Sequence, residues 1–164
     1  MAFLMRLHLS LILLIATFSV TAYCEKVKMN DLTERNGIYF KKSSKAPFTG
    51  ELEGRYQGRI VDGKRDGLWL TYSPEGNLWF KKNYVNGIID GISFMYHKNG
   101  QLRSKSLYDM GVELSTEEYD KKGKLRFKLE FEKDKNGKII NAKKSFPDGT
   151  NRTCSDYNDC YKIE

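Results

Sequence analysis

A period of 24 residues constrains this 164-residue chain more than any other feature of its sequence. The stretch Asp62-Gly63-Lys64-Arg65-Asp66-Gly67-Leu68-Trp69-Leu70-Thr71-Tyr72 returns as Asn86-Gly87-Ile88-Ile89-Asp90-Gly91-Ile92-Ser93-Phe94-Met95-Tyr96. Gly63, Asp66, Gly67 and Tyr72 recur as Gly87, Asp90, Gly91 and Tyr96. Gly76, Leu78, Lys81 and Tyr84 recur as Gly100, Leu102, Lys105 and Tyr108. Agreement at this many positions with one spacing is internal repetition. A third copy is one residue shorter: Gly111 follows Gly87 by 24, but Tyr119, Gly123, Leu125, Lys128 and Phe131 follow their counterparts by 23. The missing residue therefore lies between Gly111 and Tyr119, where Leu114-Ser115 replaces Asp-Gly. A shortened copy precedes the first, with Thr49-Gly50 in the Asp-Gly place, Tyr56 as its aromatic and Gly58-Arg59-Ile60 echoing Gly-x-Leu.

Each copy reads as two strands and two turns. Leu68–Tyr72 and Leu78–Tyr84 are short runs of apolar and β-branched residues. Ser73-Pro74-Glu75-Gly76 separates them, and Asn86-Gly87 turns the chain back. Copy two repeats this with Ile92–Tyr96, His97-Lys98-Asn99-Gly100 and Leu102–Tyr108, and copy three turns at Asp120-Lys121-Lys122-Gly123. The expected fold is all-β: an elongated antiparallel meander or solenoid of tandem hairpins. Each hairpin completes the interior of its neighbour, because one alone cannot bury its apolar side. Alternation predicts a shared interior of Leu68, Leu70, Tyr72, Ile92, Phe94 and Tyr96, joined on the return strands by Leu78, Phe80, Tyr84, Leu102, Tyr108, Leu125, Phe127, Leu129 and Phe131.

The opposite face then carries a ladder of Lys81, Lys105 and Lys128 flanked by Arg103 and Arg126, with Trp69 and Trp79 as aromatic anchors. These residues are the candidate binding surface for an anionic partner. A solvated sheet face, with lysines that discourage edge pairing, is the structural alternative.

Outside the array, the N-terminus has the form of an export signal. Arg6 precedes a mostly apolar run from Leu9 to Val20, and Val20-Thr21-Ala22 places small or β-branched residues before a cleavage point after Ala22. The run falls short of the ~20 residues that span a bilayer; an uncleaved anchor is the alternative. Cys24 is a candidate for lipidation, though the bulky Tyr23 before it fits that processing poorly. The organisation expected is a signal peptide at 1–22, a lead-in or cap at 23–47, the array at 48–131 and a C-terminal cap at 132–164. Removing 1–22 takes away Arg6 and no acid, leaving 27 basic and 21 acidic side chains. That excess favours acidic partners or anionic envelope surfaces, or serves solubility alone. No nucleic-acid motif accompanies it. Outside the cytoplasm Cys154 and Cys160 are expected to form a disulfide across a short polar loop, leaving Cys24 as the odd thiol.

The chain offers little chemistry. It has no Gly-x-Ser-x-Gly, no His-Glu-x-x-His and no phosphate-binding loop before a helix. His97 falls in a turn, and Asp66 and Asp90 in equivalent turns, where support of the backbone is their expected role. No metal, cofactor or enzymatic activity is expected. Asn151-Arg152-Thr153 matches a glycosylation acceptor, a pattern that arises readily by chance.

The Asp-Gly-x-Trp-x-x-Tyr core, with x-x-x-Gly-x-Leu and a later Tyr, resembles the bacterial variant of the MORN repeat. Its framework residues here are Gly63, Gly67, Tyr72, Gly76, Tyr84, Gly87, Gly91, Tyr96, Gly100 and Tyr108. Gly37-Ile38-Tyr39-Phe40 and Pro47-Phe48-Thr49-Gly50 resemble the lead-in of YwqK-family antitoxins, so the likeness covers about residues 37–131. It implies a cofactor-free sheet of hairpins that contacts proteins or phospholipids. Three functions follow as expectations: a protein-binding or structural module of the cell envelope, periplasmic or secreted; a toxin-neutralising antitoxin or immunity protein; or a binder of anionic lipid through the basic face.

Overall fold

A computed structural model describes residues 25–154 and 157–162. The expected signal peptide and Cys24 lie outside these residues. The strands are β1 (Lys26–Lys28), β2 (Leu32–Arg35), β3 (Ile38–Lys41), β4 (Gly50–Glu53), β5 (Tyr56–Val61), β6 (Lys64–Tyr72), β7 (Leu78–Val85), β8 (Ile88–Ile89), β9 (Gly91–Tyr96), β10 (Leu102–Asp109), β11 (Val112–Tyr119), β12 (Leu125–Lys133), β13 (Ile139–Ser145) and β14 (Asn151–Cys154). One helix, α1 (Tyr157–Lys162), follows. Twelve strands form one sheet in the order β1-β4-β5-β6-β7-β9-β10-β11-β12-β13-β14, with β8 beside β7; β2 and β3 form a separate hairpin. At about 4.8 Å per strand the sheet is roughly 50 Å across.

The sheet is antiparallel except at one end. There β1 pairs with β4 in parallel, Lys26 opposite Glu51 and Lys28 opposite Glu53. This departs from the wholly antiparallel expectation. Strand β1 belongs to the lead-in and not to a hairpin, and it covers the edge that the first copy would otherwise leave open.

Two kinds of turn alternate through the array. One has positive φ at both central residues: Asp62 and Gly63 (48° and 76°), Asn86 and Gly87 (52° and 86°), Met110 and Gly111 (47° and 87°). This is the backbone of a tight hairpin turn whose twist matches its strands. Each such turn is also tied to the preceding copy. The Gly87 N–H donates to the Arg65 carbonyl at 2.8 Å, and the Gly111 N–H to that of Ile89 at 2.9 Å. The other kind is wider and closes Ser73 on Asn77, His97 on Gln101 and Asp120 on Lys124. After β12 the tight turn is replaced by a wide one, Asp134 to Lys138, and there the strict repeat ends.

The Asp-Gly pairs mark a bulge. Gly67, Leu68 and Trp69 stand opposite Gly58 alone, between the pairs Arg59–Asp66 and Gln57–Leu70. Asp90 to Ser93 likewise stand opposite Lys82 and Asn83. In the third copy only Leu114 is extra, between the pairs Tyr108–Glu113 and Leu107–Ser115. The residue missing from copy three is thus one residue of this bulge. The larger bulge uses a positive φ at Gly67 (71°) and Gly91 (77°); the smaller one does not, and Leu114-Ser115 suffices.

These bulges decide the faces, and here the sequence-based interior needs correction. Trp69 pairs with Lys82, while Leu68 pairs with Asn83 and Leu70 with Lys81. Trp69 is buried at 3% exposure, whereas Leu68 and Ile92 are 51% and 47% exposed. Leu68, Leu70, Ile92 and Phe94 therefore occupy the outer face, and Tyr119 donates its hydroxyl hydrogen to Glu117 there, at 2.7 Å. Phe80, Tyr84, Phe127, Leu129 and Phe131 remain inside. Alternation was ambiguous because Leu68-Trp69-Leu70 is apolar on both sides; only the cross-strand register separates them.

The interior is two end cores. One joins Val27, Leu32, Tyr39, Phe48, Leu52, Ile60 and Trp69, covered by the lead-in. The other joins Phe127, Leu129, Phe131, Ala142, Cys154 and Cys160. Between them the inner face holds small polar residues: Ser93, Ser104, Ser106 and Thr116 are buried, with the Ser106 and Thr116 hydroxyls 2.7 Å apart. Ser93 holds in copy two the place of Trp69 in copy one. The shortened first copy also differs from expectation: Tyr56 and Gly58 lie within one strand, and the turn is at Gly54.

Arg65 locks the lead-in to the array. Its guanidinium lies 4.8 Å from the Trp69 ring centroid, 5.4 Å from that of Tyr84 and 5.6 Å from that of Tyr39. It donates to the Tyr39 hydroxyl at 2.8 Å and to that of Tyr84 at 3.2 Å. A guanidinium held between ring faces keeps its charge without a carboxylate.

Two substitutions test this packing. A Cβ on Gly58 would stand 2.7 Å from the Trp69 ring. Gly58→Ala is expected to cost about 2 kcal/mol by overpacking, read as a lowered denaturant midpoint. At the other end Cys154 and Cys160 form a disulfide with Cα atoms 5.4 Å apart. Its loop runs into the start of α1, a helix that the sequence reading did not include. The Cys154→Ser/Cys160→Ser pair is expected to lose about 2 kcal/mol, given the short loop closed, in the same measurement.

Candidate functional site

The outer face is built from alternate residues of β6 to β13, and nothing else among the described residues covers Leu68, Ile92 or Leu107. The last of these is 40% exposed and pairs directly with Ile92. Asn83 pairs with Leu68 on β6, and its carbonyl accepts the Asp90 N–H at 3.0 Å across the bulge that holds Ile92. Leu68, Ile92 and Leu107 are thus exposed on this face, Ile92 and Leu107 side by side and Leu68 on the far side of β7. The row of Ile92 and Leu107 continues through Ser115, Glu130 and Lys143.

The lysine ladder lies in the next row. Its order across the sheet is Leu70, Lys81, Phe94, Lys105, Glu117, Lys128 and Ser145. Lys81, Lys105 and Lys128 share a face but never adjoin, because intervening strands supply Phe94 and Glu117. The Lys81 ammonium lies 5.8 Å from the Phe94 ring centroid. Lys128 pairs with Glu130 at 2.9 Å, which raises its pKa. The row is therefore of mixed charge, with lysines about 10 Å apart.

The flanking arginines are elsewhere. The registers leave Trp79, Arg103 and Arg126 as the extra residue of equivalent bulges, between the pairs Thr71–Phe80 and Tyr72–Leu78, Ser104–Met95 and Leu102–Tyr96, and Glu118–Phe127 and Tyr119–Leu125. Arg103 and Arg126 meet Glu118, which stands opposite the buried Ser104 on the inner face. Burial pushes the Glu118 carboxyl above its usual range, with Arg103, Arg126 and His97 acting against the rise. They belong to a cleft by the C-terminal cap and not to the lysine row, because a bulge residue breaks the alternation by which they were placed.

The two tryptophans also part. Trp69 is in the first core, its indole N–H donating to the Arg59 carbonyl at 3.1 Å, and it offers no surface to a partner. Trp79 is 42% exposed and stacks at a tilt on Phe80, 5.0 Å between centroids. With Pro74, Leu78 and Tyr96 it lines a shallow, mostly apolar cleft of about 260 Å³. This cleft joins copy one to copy two.

The turn residues do structural work. His97 Nε2 lies 3.0 Å from the Tyr119 carbonyl, and Asn99 donates to that of Lys121 at 2.8 Å, tying one turn to the next. Asp66 pairs with Arg59, and Asp90 accepts the Met110 N–H at 3.0 Å. Tyr108 is pushed up to about 12 by burial and by Glu113 beside it. Among the described residues no three His, Cys, Asp or Glu side chains come together as metal ligands. Sequence reasoning missed Arg65, Glu118 and Lys144, the last only 2% exposed. Nothing in a lysine alternating with Ala142 distinguishes it from a surface residue before β14 and α1 are placed.

A search among curated proteins found no significant match. The family model described as the MORN repeat variant matches residues 65–86 and 89–110, the hairpins β6–β7 and β9–β10, so the similarity falls on the two copies of the internal repeat that agree best with each other.

Proposed function

We propose that this chain is a non-enzymatic binding module of the cell envelope, reached through the export signal, whose partner is a protein seated on the outer sheet face. The observation that carries this reading is the exposed Leu68, Ile92 and Leu107 beside the mixed-charge row of Lys81, Lys105, Glu117 and Lys128. Exposed apolar side chains gathered on one face beside charged ones, with Ile92 and Leu107 adjoining, are the character of a protein contact. MORN-type repeats commonly bind proteins or lipids, which agrees with a surface of this kind. Trp79 adds an aromatic anchor in its cleft at the same end of the array.

The interleaving of Glu117 and the Lys128–Glu130 pair favour a protein over a membrane, since an anionic bilayer rewards a surface of one sign. The YwqK resemblance makes toxin neutralisation one specific form of the proposed contact. The residues that carry it, Tyr39, Phe48 and Gly50, serve here in the lead-in packing.

The Ile92→Glu/Leu107→Glu pair is expected to abolish recovery of the partner from native envelope extract. Both side chains are exposed but stand directly opposite each other, so the two carboxylates should lower the melting midpoint slightly, whereas an Ile92→Lys/Leu107→Glu pair, with opposite charges there, should lose recovery while its midpoint stays close to the parent's. Equal recovery by either variant would sink the reading. Sedimentation with phosphatidylglycerol vesicles, lost in a Lys81→Glu/Lys105→Glu/Lys128→Glu variant, would transfer the role to lipid.

A further inference from the structure

The C-terminal cleft, of about 270 Å³, is lined by Arg103, Glu118, Arg126, Phe127, Lys144 and Phe146, with Tyr161 of the disulfide-tethered helix at its rim. Rings and a carbonyl are among the partners of its cations. The Lys144 ammonium donates to the Cys160 carbonyl at 3.2 Å and lies 4.2 Å from the Phe127 ring centroid and 5.5 Å from that of Phe146. The Arg126 guanidinium lies 5.7 Å from Phe127, and that of Arg152, opposite Lys144 on β14, 5.9 Å from Phe146. Burial, then Arg126 and Arg152, hold the Lys144 ammonium below its ordinary range. Glu118 is the one carboxylate among the described residues lining the cleft. Among the described lining residues three cations, Arg103, Arg126 and Lys144, stand with this one acid in a partly enclosed, aromatic-floored space, where field lines focus.

We propose that this cleft binds the phosphate group of a small monoester, held by the Arg103 and Arg126 guanidiniums with Lys144 beneath. A doubly charged phosphate matches the excess better than a single carboxylate, and planar guanidiniums meet its oxygens two at a time. Glu118 competes with the ligand for both arginines. The site lies on the inner face and stands independently of the outer-face reading.

Calorimetry of the full chain with its disulfide intact, using inorganic phosphate and phenyl phosphate as probes, tests this. Phenyl phosphate should bind, and Arg103→Gln/Arg126→Gln should weaken it at least about tenfold. Glu118→Gln should tighten it, and Lys143→Gln, on the outer face, should leave it unchanged. Both arginines are exposed, so the double variant is expected to fold, which its melting curve checks. If phosphatidic acid vesicles, whose headgroup is a phosphate monoester, displace the probe and phosphatidylcholine vesicles do not, the phosphate is that of a lipid headgroup; if neither does, it is that of a soluble ester. No binding by the parent chain, or equal binding by the double variant, overturns the proposal.

Discussion

The structure depends on backbone register, and the register depends on where extra residues are inserted into the strands. A sheet of short hairpins has one side to bury and one to expose, and a slip of one residue exchanges them. Here the exchange is governed by the bulges at Asp66-Gly67 and Asp90-Gly91 and by the extra residues Trp79, Arg103 and Arg126. The larger bulges rest on positive φ at Gly67 and Gly91, which glycine reaches without steric penalty. The tight turns at Gly87 and Gly111 then hydrogen-bond back to the preceding copy, so the register of one hairpin is handed to the next.

This arrangement distributes burial unevenly. A repeat array buries its inner face only where something lies over it. The lead-in covers one end, where Trp69, Tyr39 and Arg65 interlock, and the disulfide-tethered helix covers the other, where Cys160 meets Phe127 and Leu129. In the middle Ser93, Ser104, Ser106 and Thr116 fill the inner face with small hydroxyl side chains, of which those of Ser106 and Thr116 hydrogen-bond each other and Thr116 also the Lys105 carbonyl. The exposed leucines and isoleucine across the sheet are the counterpart of this economy. Apolar residues that a wholly two-layered protein would bury are left outward, and the reading of the outer face as a contact surface follows from that.

Much of the fold was legible because periodicity reports backbone events. The 24-residue spacing, the Gly-containing turns and the residue lost before Tyr119 each correspond to a strand pair, a turn or a shortened bulge. The Cys154–Cys160 bond was legible as well, from the expected export and the short polar loop between the two cysteines. The candidate site was legible only in part. Lys81, Lys105 and Lys128 share a face as their spacing implies, but the spacing within return strands says nothing of Phe94 and Glu117, which come from the strands between. Trp69 was misplaced because its neighbours Leu68 and Leu70 are as apolar as it is. Arg103 and Arg126 were misplaced because a bulge residue has no fixed side.

The sequence by itself determined the repeating unit, the all-β class and the positions of the turns, since these follow from local backbone preference and from spacing along one chain. Tertiary structure alone decided which face is inside, that β1 joins the sheet in parallel, and that Arg103, Arg126 and Lys144 converge beside Glu118. Those outcomes rest on register between strands and on which distant segment covers the sheet. They are long-range pairings, and no window of neighbouring residues encodes them.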